Sequence, residues 1–303
     1  MTFAATRSGR GLSLLALAAA LLGMGVPPAA GQGAAITVQG GFQTPESVLY
    51  DAAGDVYLVA NINGNPTGVD GNGFISRVRP DGRIITLKWI DGTRPGVALN
   101  APKGMAIRGD TLFIADITAV RLFDRRTGQF RGSVTVPGAT FLNDTAAGPD
   151  GTVYVTDSGL KPDFSPSGTD AVYKIDRSGA LGTVAKGAHL KNPNGVAVLP
   201  DGRLVIGAYS QDGGIYRLTV TGQKEDLMRL PGGQLDGVEV LSGGALLVSS
   251  WAASAVFRVE ADGTATQVVQ NVKAPADIGY DRKRNRVLIP LFQDNRVLIQ
   301  PLR

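Results

Sequence analysis

The sequence predicts an all-β, six-bladed β-propeller whose ring is closed by an N-terminal strand joining the last blade. Three observations predict it. One unit recurs six times, each copy holds up to four short apolar runs separated by turns, and a stray run precedes the first copy while the last copy is one run short.

The copies open with TPESVLYDAAGDVYLVAN from Thr44, APKGMAIRGDTLFIADI from Ala101, FLNDTAAGPDGTVYVTD from Phe141, NPNGVAVLPDGRLVIGAY from Asn192, QLDGVEVLSGGALLVSS from Gln234 and APADIGYDRKRNRVLIP from Ala274. Each is a polar or small corner followed by two apolar runs around a turn such as Pro-Asp-Gly, which is a hairpin signal. A third run and usually a fourth follow, as in FISRVRPDGRIITLKW, AVRLFDRRTGQFRGSVTV, AVYKIDRSGALGTVAK, GIYRLTVTGQKEDLMRL and AVFRVEADGTATQVVQ. Four strands in roughly 40 to 50 residues is the size of one blade. The last copy stops after its third strand, RVLIQPLR, and AAITVQG from Ala34 supplies the missing outer strand. That pairing closes the ring and removes two free sheet edges. The 41 glycines suit so many turns, and no helical period is found beyond the first segment.

Residues 1–31 read as a signal peptide and 32–303 as the propeller domain. Arg7 and Arg10 precede the apolar run Leu12 to Val26, and the small-residue segment PPAAGQG follows. The run is shorter than the ~20 residues of a membrane span, the alternative being an uncleaved anchor. The expectation is an exported protein, periplasmic or secreted, with no stable membrane association once the leader is removed. With no cysteine, disulfides, thiol catalysis and a lipid-modified N-terminal cysteine are excluded. Loss of the leader's two arginines lowers the net charge from +4 to +2, and the remaining basic residues alternate with acids, which excludes a nucleic-acid partner. A small-molecule substrate is the expected partner.

In a propeller the first strand of each blade runs along the central channel. Aligning the copies on their first apolar run therefore places Glu46, Lys103, Asn143, Asn194, Asp236 and Ala276 at equivalent positions of one channel mouth. Two carboxylates and two carboxamides on one axis suit a hard cation, because such oxygens favour Ca²⁺, Mg²⁺ or Mn²⁺ over softer metals. The alternative is that pairs such as Asn194-Gly195 and Asp236-Gly237 only cap turns between blades. That accounts for Asn and Asp but not for Glu46.

At these residues the chain resembles the SMP-30/gluconolactonase/LRE-like six-bladed propellers, with paraoxonases and diisopropylfluorophosphatase as more distant look-alikes. The resemblance rests on Glu46 in PESVLYD, Asn143-Asp144 in FLNDTAAGPDG, Asn194-Gly195 in NPNGVAVLPDG, and Asp236-Gly237 in LDGVEV with the following SSWAASAVFRV. They fall in the family's blade order, first, third, fourth and fifth, and the likeness covers nearly the whole mature chain. It implies a divalent metal at the channel mouth, calcium above all with Mg²⁺, Mn²⁺ or Zn²⁺ as alternatives. It also implies an enzyme that opens lactones or cleaves related esters and phosphotriesters. Glu46, Asn194 and Asp236 would be ligands, and Asn143 a ligand or a substrate contact. The metal would polarise a lactone carbonyl while Asp236 takes the proton of the attacking water. The function expected is an exported metal-dependent hydrolase of lactones or related esters. One alternative is a non-catalytic propeller binding a ligand or protein, and another is a binding propeller in which Lys103 has replaced the metal.

Lys103 departs from the family, which usually has a small or apolar residue there. Its ammonium would bind a substrate anion, replace the metal by pairing with Glu46 or Asp236, or swing into solvent. Asp144 and the lone histidine, His189, join Lys103 and Asn143 as candidate substrate contacts, His189 being alternatively only solvated. GVDGNGFISR resembles a calcium loop but fails, since Gly68 and Arg79 stand where acids are needed. It belongs instead to a long loop, NINGNPTGVDG, which with SGLKPDFSPSGTD would wall the pocket. Asn143-Asp144-Thr145 is a glycosylation pattern discounted because Asn143 faces inward. Trp251, Tyr209 and Asp157 follow second strands, which would bring them near the mouth; the expectation is ordinary packing between blades.

Overall fold

The computed structural model describes residue 4 and residues 33–302, so the leader reading of residues 1–31 lies, apart from Ala4, outside the described residues. Strand β1 is Ile36–Val38. Blade one is β2 (Pro45–Asp51), β3 (Val56–Asn61), β4 (Phe74–Val78) and β5 (Ile84–Asp91), and blade two is β6 (Pro102–Arg108), β7 (Thr111–Asp116), β8 (Ala119–Asp124) and β9 (Phe130–Thr135). Blade three is β10 (Leu142–Ala147), β11 (Val153–Asp157), β12 (Ala171–Ile175) and β13 (Leu181–Lys186). Blade four is β14 (Pro193–Val198), β15 (Leu204–Ala208), β16 (Gly214–Leu218) and β17 (Lys224–Arg229). Blade five is β18 (Leu235–Val240), β19 (Leu246–Ser250), β20 (Ala255–Val259) and β21 (Ala265–Gln270). Blade six holds β22 (Gly279–Asp281), β23 (Arg286–Leu291) and β24 (Arg296–Pro301).

The six antiparallel sheets confirm the repeat, and the sixth takes β1 as its outer strand, in the order β1-β24-β23-β22. Ile36 pairs with Ile299, Thr37 with Leu298 and Val38 with Val297. The ring is also joined at its inner edge, where Ser47 bridges Asp277, the Asp277 N–H donates to the Glu46 carbonyl at 2.8 Å and the Val48 N–H to the Asp277 carbonyl at 3.2 Å. Two seams thus hold the first blade to the last.

Each blade packs both faces on neighbours, and this explains why second strands are buried at nearly every position and rich in apolar residues rather than alternating. VYLVAN of β3 is buried at every position. One apolar cluster fills each gap between adjacent blades, for instance Leu58, Met105 and Ile114 between blades one and two, and Val38, Val48, Leu288 and Val297 across the closure. Outer strands meet solvent on one face, and FRGSVT of β9 alternates half-buried and exposed residues accordingly. Among the described residues the one short helix is a 3₁₀ turn at Ala188–Leu190, and no helix is long and apolar enough to cross a membrane.

Candidate functional site

The site residues are positioned by a fault repeated in the sheets. In blades one to five the pairing of the first strand with the second slips, between Pro45 and Ser47, Pro102 and Met105, Leu142 and Thr145, Pro193 and Val196, and Leu235 and Val238. Glu46, Lys103, Asn143, Asn194 and Asp236 each fall inside that slip. A bulge frees a residue from the ladder and re-aims its side chain. Glycine follows three of them, Lys103, Asn194 and Asp236, for a steric reason: a Cβ on Gly104 would overlap Asp144. A Cβ on Gly195 would overlap the carbonyl oxygen of Asp236, and one on Gly237 would overlap the Ile278 N–H. The Asx-Gly pairs therefore let the next blade's inner strand approach, and they do not cap a turn. Hydroxyls fill two of the bulges: Thr156 accepts the Asp144 N–H at 2.9 Å and donates to the Asn194 carbonyl at 2.6 Å, while Ser249 accepts the Gly237 N–H and donates to the Ala276 carbonyl, both at 2.8 Å.

Glu46, Lys103, Asn143, Asn194 and Asp236 line one cavity of about 450 Å³ and are all at most 5% exposed. Glu46 Oε2, Asn143 Oδ1, Asn194 Oδ1 and Asp236 Oδ1 are all buried without a hydrogen-bond partner. Neighbours fix which oxygen stays free. The Asn143 amide donates to Ser158 Oγ at 3.0 Å, Ser158 in turn donating to the Pro193 carbonyl at 2.9 Å, and Trp251 Nε1 donates to Asp236 Oδ2 at 2.6 Å.

The electrostatics are those of anions forced together out of water. Burial, then the charges of Asp236 and Asp277, push the Glu46 carboxyl well above the usual carboxylate range, with the Lys103 charge pulling the other way. Burial and Asp277 likewise push Asp236 well up, against the Trp251 hydrogen bond. An unpartnered buried acceptor costs about 1–3 kcal/mol, so four of them gathered in one cavity want a common partner. Among the described residues no three His, Cys, Asp or Glu side chains gather as a metal cluster. The donor set is instead two carboxylates and two carboxamides, and this suits a hard divalent cation, calcium first.

Lys103 is not in solvent, being 1% exposed. Nor does it pair with a carboxylate: its ammonium donates to the carbonyls of Pro66 at 2.9 Å and Ala101 at 3.1 Å and lies 4.6 Å from the centre of the Phe141 ring. Among the described residues it makes no ion pair. It ties the long loop after β3 to the mouth of blade two. Burial holds its pKa below the ordinary lysine value, against Glu46 and Asp116.

Two candidate contacts lie elsewhere. The Asp144 carboxylate does not line the cavity, accepting the N–H groups of Thr145 at 2.6 Å and of Val196 at 2.7 Å, the second across the seam to blade four. His189 is exposed on the 3₁₀ turn and lines no part of the cavity. Both long loops do wall it, Ile62, Gly64 and Pro66 from the first and Leu160 and Phe164 from the second. Asp157 has an inter-strand role, accepting the N–H groups of Thr140, Phe141 and Gly159. Tyr209 and Trp251 line the cavity rather than only packing between blades, and Trp251 touches a site residue. Phe141 and Phe292 were missed, though their signal is the repeat itself, as they hold fixed offsets from the site positions of blades three and six.

A family model described as SMP-30/Gluconolactonase/LRE-like region matches residues 44–278. No curated protein sequence matches the chain. Among solved structures, a gluconolactonase from Xanthomonas campestris is 20% identical with a TM-score of 0.70, covering 89% of both chains. A virginiamycin B lyase from Staphylococcus aureus, solved with quinupristin, is 15% identical with a TM-score of 0.60, covering 89% of this chain and 99% of that one. At such identities these structures show a shared fold. With the family model matching most of its length, this chain belongs to the SMP-30/gluconolactonase/LRE-like family.

Proposed function

We propose that this protein is an exported metal-dependent hydrolase of lactones or related esters. The observation that supports it is the set of four unpartnered buried oxygens, one each from Glu46, Asn143, Asn194 and Asp236, lining one cavity. Those residues would hold the divalent ion, Ca²⁺ in the first instance. When bound, it supplies a Lewis acid for the substrate carbonyl. The Asp236 carboxylate takes a proton from water, whose oxygen adds to the carbonyl carbon; the C–O bond to the leaving oxygen then breaks and that oxygen takes the proton back. The indole N–H of Trp251 keeps the Asp236 carboxylate from rotating away. Lys103 positions the loop carrying Pro66 rather than taking the place of a cation. The lactone-opening relative is consistent with this chemistry. Export rests on Arg7, Arg10 and the apolar run that follows them.

Metal analysis of the mature protein, calorimetric titration with Ca²⁺, Mg²⁺, Mn²⁺ and Zn²⁺, and a lactone and aryl-ester panel test the proposal together. Binding of one ion and hydrolysis lost in Asp236→Asn are expected. A wild type silent to all four ions would sink the mechanism, and ion binding without turnover of any ester would leave a non-catalytic binding propeller.

A further inference from the structure

The repeat builds a second ring above the polar one. In five blades the residue following the second strand donates its backbone N–H to the carbonyl two positions before the site residue: Ile62 to Thr44, Ser158 to Phe141, Tyr209 to Asn192, Trp251 to Gln234 and Phe292 to Ala274. Four of these are large and apolar or aromatic, and all four line the cavity. The fifth, Ser158, has its hydroxyl engaged with the Asn143 amide and the Pro193 carbonyl. Trp251 links the ring, its centre 5.8 Å from that of Tyr209 and 5.0 Å from that of Phe292. Blade three adds Phe141, Leu160 and Phe164, the last 53% exposed at the rim and 6.1 Å from Phe141.

Beyond the Tyr209 hydroxyl and one Lys103 proton, this wall offers few hydrogen-bond donors. Two of the three Lys103 protons are on carbonyls and the Trp251 N–H is on Asp236. A polyhydroxylated ring placed here would leave hydroxyls desolvated without partners, whereas an alkyl or aryl group would bury apolar surface against five rings. Resting on the hydrolase reading above, we propose that the mouth selects esters or lactones bearing an apolar alkyl or aryl group and rejects polyhydroxylated sugar lactones. The cavity of about 450 Å³ admits a drug-sized molecule, with its carbonyl at the four oxygens and its apolar part against the aromatic ring.

Binding and turnover are measured separately on the calcium-loaded protein. Calorimetry compares two non-hydrolysable lactams, 5-octylpyrrolidin-2-one and gluconolactam, and kcat/KM is compared for the corresponding alkyl lactone and glucono-δ-lactone. The alkyl lactam is expected to bind at least about tenfold tighter, and the alkyl lactone to be favoured about a hundredfold, two stranded hydroxyls' worth of discrimination. Phe164→Ser, at a rim position that is 53% exposed, should weaken the alkyl lactam about threefold and leave gluconolactam unchanged. Alkyl-lactam binding without turnover of any ester would remove the hydrolase reading and keep the selectivity. Glucono-δ-lactone turned over as well as the alkyl lactone would overturn the selectivity and keep the hydrolase, and so would equal binding of the two lactams or of neither.

Discussion

Replacing Lys103 with methionine separates a tether from a substitute for the metal. Methionine fills similar volume without charge or donor, so the carbonyls of Ala101 and Pro66 lose partners at 3.1 and 2.9 Å and Phe141 loses its cation. A stranded buried carbonyl costs about 1–3 kcal/mol and a desolvated cation–π contact adds about 2. Relief from burying an ammonium, worth several kcal/mol, offsets part of this and leaves a net loss of about 1–3 kcal/mol. At about 2–4 °C per kcal/mol for a domain of this size, the metal-free Tm should fall by roughly 3–10 °C. Calcium affinity should move the other way, tightening about tenfold, because a like charge leaves the neighbourhood of the ion. Scanning calorimetry in EGTA and in calcium, with calcium titrations of both proteins, reads the two effects independently. Calcium binding that weakens in the variant, or a wild type that binds none while the variant loses far more stability than this, would refute the tether and restore Lys103 as the metal's replacement.

Deleting residues 34–40 strips the outer strand from blade six and exposes the face that covered Val38 and Ile36, a loss of about 3–6 kcal/mol, so an unchanged Tm would contradict the closure. Trp251→Phe keeps the ring packing but removes the N–H bonded to Asp236, and calcium affinity should drop about tenfold; equal affinity would leave Trp251 a wall residue only. Gly195→Ala forces a methyl into the Asp236 carbonyl and should destabilise by about 1–3 kcal/mol or more, whereas a neutral result in urea melts would show that blades four and five are less tightly apposed. Glu239 is pushed up to about 8 by burial, then by Asp277, with Arg282 pulling down. Its folded pKa lies above the ~4.3 of an unfolded glutamate, so the folded state holds the extra proton and this contribution to stability is full below about pH 4 and lost as pH rises toward 8. Glu239→Gln retains an acceptor for the Tyr280 N–H and should flatten the urea midpoint between pH 5 and 8 relative to wild type; parallel profiles would remove that assignment.

The blades and their closure were legible because each depends on local spacing: apolar runs of strand length, turns between them, and one run too few at the end matched by one too many at the start. The four oxygen donors were legible for the same reason, since the repeat register assigns Glu46, Asn143, Asn194 and Asp236 to one position although they are far apart in the chain. Register also contained the aromatic ring of Tyr209, Trp251 and Phe292, but a large residue after a buried strand has the same local signature whether it packs between blades or faces a cavity. What lies across from it decides, and that is a matter of tertiary packing. The same limit governs Lys103, whose partners are two carbonyls, one from a loop of the preceding blade. Asp144 shows it most plainly: adjacent to Asn143 in sequence, it stands one step further round the strand, and its carboxylate is held by the Val196 N–H of the next blade. Sequence alone determined which residues come to the channel mouth, because strand period and repeat length are local. Tertiary structure decided which oxygens stay without a partner there, because satisfying a buried polar atom depends on groups from other blades.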